Sequence, residues 1–234
     1  MQRLLALDTA TENCSVALQS QQDLYTRVAV SPREHSQRIL GFIEEVTVQA
    51  GIAKTDLEGL VVGLGPGSFT GVRIGVSVAQ GLAYSLGLKV AGVTTLAALA
   101  QQAIRKKQVK TVIAAIDARM GEVYLGVYQQ GDNGQLECLL PPCVGKPSVD
   151  WLQAQLADYA SAEACALVGT GAESYAEVFA AAIDASFERD ILLPEAQDML
   201  AIAQQDFSAL AQQPEDLEPL YVRNEVTWKK LPGR

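Results

Sequence analysis

Two short apolar runs that end in aspartate, Leu4 to Asp8 and Thr111 to Asp117, place their carboxyl groups 109 residues apart. Two glycine turns, Gly63-Leu64-Gly65 and Gly169-Thr170-Gly171, are separated by 106 residues. Features so widely spaced that recur at nearly one offset mark a duplicated unit. Each copy reads as three strands, a helix, a buried strand and a second helix that follows the glycine turn. The expected fold is therefore α/β, with two tandem βββαβα subdomains over residues 1–105 and 106–234, the last segment packing back on the first.

In the first copy, Leu4 to Asp8, Cys14 to Gln19 and Leu24 to Val30 predict an antiparallel meander. Ser31-Pro32-Arg33-Glu34 predicts a helix start with Ser31 as N-cap and Glu34 completing a capping box. That helix runs to about Ala50 and carries Ile39, Leu40, Phe42, Ile43 and Val46, an apolar band wide enough for two clients. Leu60 to Leu64 is bounded by glycine, as a strand buried on both faces is. Gly65-Pro66-Gly67-Ser68 then leads to a helix over Val72 to Leu86, stopped by Gly87. A turn of this kind aims N–H groups at whatever lies over it. Yet it lacks the Walker lysine, and Ser68 or Thr70 stands where a dinucleotide fingerprint needs its third glycine.

The helix after that turn carries a small stripe, Gly71, Gly75, Ala79 and Ala83, at intervals of four. Beside the stripe run a bulky edge (Ile74, Val78, Leu82) and a polar one (Arg73, Ser77, Gln80, Tyr84). Glycine inside a helix costs about 1 kcal/mol relative to alanine, so a close neighbour is expected. Two neighbours fit equally: the chain's own sheet, or a helix of another subunit. On the second reading, leucine at Gly75 and Ala79 blocks association and spares the fold. A strand from Lys89 to Val93 and a helix from Thr95 to Arg105 complete the copy, with Arg105-Lys106-Lys107 read as a solvated helix end.

The second copy predicts strands at Thr111 to Asp117, Glu122 to Gln129, Gln135 to Leu140 and Ala164 to Val168. Helices are expected at Ser148 to Tyr159 and Glu173 to Ile183, a strand at Ile191 to Leu193, and one long helix from Glu195 to Gln212. The tail from Asn224 to Arg234 is locally basic.

The formal charge of −9 opposes stable binding to a phosphate backbone by this chain alone. No run is apolar enough to cross a bilayer, no leader is visible before the first strand, and the expected location is the cytoplasm. Cys14, Cys138, Cys143 and Cys165 show no C-x-x-C spacing and are expected as free, buried thiols.

A strand ending in aspartate, a meander and a second copy resemble the actin-like ATPase (ribonuclease-H-like) fold. Five segments carry a closer resemblance, to the TsaB (YeaZ) family of tRNA threonylcarbamoyladenosine biosynthesis. They are Leu5 to Thr11, Arg33 to Ser36, Gly63 to Gly75 with its Gly-Pro-Gly-Ser-Phe-Thr-Gly-x-Arg, Asp117 to Tyr124, and Tyr221-Val222-Arg223. The resemblance implies a non-catalytic partner of TsaD, the related subunit that moves a threonylcarbamoyl group onto an adenosine beside the anticodon. It implies association with TsaD, with the ATPase TsaE and with itself as a homodimer, and only indirect contact with tRNA. The partner-facing residues on this reading are Ile39, Phe42, Ile43, Val46, Gly71, Val72, Gly75, Val76, Ala79 and Ala83.

The family's catalytic relatives carry a metal-binding H-x-x-x-H. Alignment of Ala91-Gly92-Val93 puts Thr95 and Leu99 at those positions, and His35 is the single histidine, so no metal site is expected. Asp8, Thr9, Gly65, Gly67, Ser68, Asp117, Gly169 and Gly171 correspond to an ancestral nucleotide cleft, expected to bind nucleotide weakly or not at all, at the partner interface, with no required cofactor. Two rivals stand beside this reading. A peptidase would draw on Ser68 or Ser36, His35 and Asp8, although Gly67-Ser68-Phe69-Thr70-Gly71 is not a nucleophile elbow. An ATPase of the actin-like class would turn over ATP with magnesium.

Overall fold

The computed structural model describes residues 2–159 and 165–223. The basic tail 224–234 lies outside the described residues. The first copy contains β1 (Leu4–Asp8), β2 (Asn13–Ser20), β3 (Asp23–Val30), α1 (His35–Ala50) and β4 (Gly59–Gly63). It continues through α2 (Phe69–Leu86), β5 (Val90–Val93) and α3 (Thr95–Lys107). The second begins with β6 (Thr111–Arg119), β7 (Glu122–Gln130), β8 (Leu136–Gly145), α4 (Val149–Leu156) and β9 (Cys165–Val168). It ends with α5 (Thr170–Ser174), α6 (Ala176–Ala182), β10 (Ser186–Phe187), α7 (Ala196–Ala203), α8 (Phe207–Leu210) and β11 (Ala211–Gln212).

The two sheets repeat one topology. The first runs β11-β5-β4-β1-β2-β3 and the second β10-β9-β6-β7-β8. In each, the strand carrying the aspartate pairs antiparallel with its meander neighbour and parallel with the strand before the glycine turn: β1 with β2 and β4, and β6, which runs past Asp117 to Arg119, with β7 and β9. This is the duplicated actin-like architecture. The central strands are apolar on both faces because helices cover both. On the outer faces, α1 and α2 cover the first sheet, and α4 and α6 the second.

The layer between the sheets is exchanged. Helix α3 of the first copy lies on β6, β7 and β9, whereas α7 of the second lies on β1, β2 and β4. Leu96, Leu99, Met199 and Leu200 are buried in this shared core. The run Arg105-Lys106-Lys107 is exposed in the last turn of α3, as read, but it is also paired. Arg105 grips Asp198 with two hydrogen bonds, 2.8 and 2.9 Å, Lys106 meets Glu195 at 2.9 Å, and Lys107 meets Asp190 at 2.8 Å. The dipole argument put cations at the right helix end; their partners come from the other copy.

Other sequence readings are corrected. The capping box at Ser31 does not form: Arg33 adopts φ 69°, the helix begins two residues later at His35, and Glu34 pairs with Arg38. Helix α2 starts at Phe69 rather than Val72, because Ser68 is its N-cap and accepts the Gly71 N–H at 3.2 Å. The helix read from Glu173 is broken at Tyr175 into α5 and α6. Ile191 forms no strand; its carbonyl accepts the Gly169 N–H, and Ser186–Phe187 pairs with β9 instead. The long helix from Glu195 stops after Ala203, since Asp206 caps a separate turn, and Ala211–Gln212 then adds to β5 as an antiparallel edge. Cys138 is exposed, unlike Cys14 and Cys165, and all four thiols are free.

Beyond β11 the chain clasps the first copy. Gln80 of α2 donates to the carbonyls of Pro214 and Leu217, and the Leu220 N–H donates to Leu64 O at 2.9 Å. Among the described residues, no helix is long and apolar enough to cross a membrane.

Candidate functional site

The glycine loop after β4 folds onto the β1–β2 turn. Ser68 N–H donates to Ala10 O at 2.7 Å, and the Thr9 hydroxyl donates to Gly71 O at 2.7 Å. A Cβ on Gly67 would collide with Ala10 O, and one on Gly71 with Thr9 O. Glycine is required here because backbone meets backbone. The second turn behaves alike: a Cβ on Gly171 would strike Val123 and the β6 backbone, and Gly169 takes φ 99°. Within the loop the Ser68 N–H is taken by Ala10 O, and the Ser68 hydroxyl accepts the Gly71 N–H.

The two aspartates have different surroundings. Asp8 is fully buried, with Oδ1 accepting the Ala10 N–H at 3.4 Å and Oδ2 without a partner among the described residues. Burial pushes its pKa up to about 7, outweighing backbone hydrogen bonds at Ala10 and Thr9 that pull it down. Asp117 is more open and holds Arg119 at 3.3 Å; Arg119 in turn crosses to Glu12 of the first copy at 2.9 Å. Arg223 adds a second tie, to Glu122 and to Ala118 O. Asp117 thus lies among protein ion pairs, whereas Asp8 makes none among the described residues.

Among the described residues, no group of three His, Cys, Asp or Glu is placed to hold a metal. Thr95 and Leu99 are wholly buried at the start of α3, inside the core between the sheets. His35 opens α1 with its Nε2 3.2 Å from Asn13 O. No hydrogen bond joins it to Ser68 or Asp8, whose own partners were given above.

Helices α1 and α2 turn the predicted partner-facing residues inward. Ile39, Ile43 and Val46 are buried against the sheet, as are Gly71, Val72, Gly75, Val76, Ala79 and Ala83; Phe42 is half-buried. A Cβ on Gly75 would lie 2.8 Å from Thr9 Oγ1 and 3.7 Å from Leu7 and Val62. Of the two neighbours considered for the small stripe, the chain's own sheet is the one present. Leucine at Gly75 or Ala79 would therefore attack the fold, contrary to the expectation that it spares it.

The outward face is different and was only half seen in the sequence. A groove of about 400 Å³ runs between α1 and α2, lined by Ser36, Leu40, Phe69, Arg73, Ile74 and Val78 among others. Leu40 is 62 % exposed and Phe69 67 %. The Arg73 guanidinium stacks 3.3 Å over the Phe69 ring and lies 5.1 Å from Tyr221. Ile74 and Val78 belong to the bulky edge noted above; periodicity ranks apolar stripes but does not say which faces in.

The chain matches the TsaD family, described as tRNA N6-adenosine threonylcarbamoyltransferase, over residues 27–230. It is 42% identical to the tRNA threonylcarbamoyladenosine biosynthesis protein TsaB of Escherichia coli K12, over 99% of both chains. It is 39% identical to the TsaB of Haemophilus influenzae, over 99% of this chain and 98% of that one. The solved structure of YeaZ from Pseudomonas aeruginosa superposes with a TM-score of 0.84 at 37% identity, covering 94% of this chain and 100% of that one. Fold and matches define an actin-like relative of the threonylcarbamoyl transferases. Within that class, the chain belongs to the TsaB (YeaZ) family.

Proposed function

We propose that this chain acts in tRNA threonylcarbamoyladenosine biosynthesis as a non-catalytic partner of a TsaD-type transferase, docking through the outer face of α1 and α2. The observation that carries this reading is the groove centred on Leu40, Phe69, Ile74 and Val78, an apolar surface on an otherwise acidic chain. The family gives the partner: the relatives' names tie them to this modification. A paired helix face is suited to receive the matching face of a related subunit, and a second copy competes for it. The TsaE ATPase joins the pair, tRNA is met only through the complex, and no cofactor is required by this chain. The buried Thr95 and Leu99 at the family's metal positions support the non-catalytic role.

The test is co-purification with the cognate TsaD and reconstituted adenosine modification. L40E and F69E place charge in the groove at exposed positions. Each is expected to weaken TsaD binding at least tenfold and to lower modification in parallel, with the melting temperature unchanged. Undiminished binding by the double variant, or sustained ATP or peptide turnover by the pure chain, overturns the reading.

A further inference from the structure

Helices α1 and α2 carry few charges, and nearly all of those are spoken for. Arg38, Glu44 and Glu45 lie on α1, and Arg73 is the one charged side chain of α2. Arg38 pairs with Glu34 at 2.6 Å, Glu45 with Arg27 at 2.6 Å, and Glu44 with Lys54. Arg73 has no carboxylate partner among the described residues, although the chain as a whole carries a formal charge of −9. It is also the charged residue that lines the groove, beside Ser36, Leu40, Phe69, Ile74 and Val78.

The guanidinium is held by aromatic rings rather than by an opposite charge. Its central carbon lies 3.3 Å over the Phe69 ring and 5.1 Å from Tyr221, and one N–H donates to Phe69 O at 3.1 Å. Stacking occupies the face of the planar fork. The remaining N–H groups at its edge have no partner among the described residues. In the free chain, water solvates that edge. An apolar face that covered the groove would strip this water away, and a cation left buried without a partner is costly. Whatever docks over Arg73 must therefore bring an anion.

We propose, resting on the α1–α2 docking stated above, that Arg73 sets the specificity of the groove by taking an aspartate or glutamate on the docking face of the TsaD-type subunit. A carboxylate can meet the edge of the fork through two parallel N–H···O bonds, a geometry that lysine does not supply. A second copy of this chain matches poorly on the same surface. Its own α1 carboxylates are already paired, and it would add another Arg73 to the contact. One cation on an apolar face thus favours a related subunit over a self-copy. Arginine flanked by aromatic side chains is also a common make-up of an interface hot spot.

The test is affinity for the cognate TsaD over a range of salt concentrations, with R73K, R73M and R73E beside the wild type. Methionine keeps an apolar stem and removes the charge, whereas glutamate sets like charges against each other. The expected order of affinity is wild type, R73K, R73M, R73E. R73M should be weaker than wild type by about tenfold or more at low salt, and less sensitive to added salt. Self-association of R73M, read by light scattering, should not weaken. Should R73M misfold, R73Q takes its place. R73M that binds TsaD as the wild type does, or R73E no weaker than R73M, overturns the proposal. So does Arg73-dependent binding of tRNA by the chain alone, which would make phosphate the ligand. Loss of TsaD binding in L40E with R73M unaffected removes the carboxylate and keeps the docking; full binding by L40E and F69E together removes both.

Discussion

Asp8 shows how a sequence signal can be right in place and wrong in consequence. The run Leu4 to Asp8 marks the strand end where actin-like enzymes keep a carboxylate, and the structure puts it there. The sequence does not reveal that the site would be sealed, since Thr9 and Ala10 follow Asp8 directly but Gly63 comes from the end of β4 and Met199, beside it, from α7. Its pKa, raised by burial from 3.8 to about 7, sets the sign of a pH effect. The folded state holds the proton more tightly than the unfolded chain, so stability is full below about pH 4. It declines as pH rises toward 7 and is flat above. Asn in place of Asp8 removes the titration. The expected result is that D8N loses this slope in chemical denaturation between pH 4 and 7, gaining on the wild type as pH rises. Parallel curves for the two proteins would show a carboxylate that is already compensated.

Among the elements, α2 teaches most. Its existence, its stop at Gly87 and its small stripe were legible, because glycine at intervals of four is a strong signal. The direction of the stripe was not, because two apolar edges lie side by side and only β1 and β4 decide between them. G75L and A79L drive bulk into a contact where even a Cβ meets Thr9 Oγ1 at 2.8 Å. Overpacking of this kind typically costs about 1–3 kcal/mol, so both should lower the melting temperature by several degrees. L40E and F69E, on the outward face, should leave it in place, and thermal melts of the four variants side by side check the contrast. The elements misread at the chain's end fail for a related reason. Ala203 to Gln212 is rich in good helix formers, and only the cap at Asp206 and the free edge of β5 divert it.

For the whole molecule, the duplication was legible from two offsets, yet the exchange of α3 and α7 was not. Both helices are amphipathic, and nothing in a period of 3.6 says whose sheet each will cover. The ion pair that fastens them is asymmetric in exposure, with Asp198 fully buried and Arg105 partly open. Burial raises the Asp198 pKa and the guanidinium lowers it, with burial the larger influence. Removal of the arginine alone leaves a buried carboxylate uncompensated, and the loss falls below the ~3–5 kcal/mol of fully buried pairs because Arg105 itself is partly open to water. R105M is therefore expected to be destabilised in urea, and R105M combined with D198L to recover most of the loss. A single variant that melts like wild type would show that α3 and α7 are held by their apolar contacts alone.

That exchange also sets an order of events during synthesis. When Lys107 leaves the ribosome, the first five strands are already made, but one side of their sheet has nothing to rest against. Its blanket is encoded nearly ninety residues downstream, at Ala196–Ala203, and its last edge strand later still. The nascent N-terminal half must wait, half-clad, for the second to be translated, so the polypeptide matures as one piece or not at all.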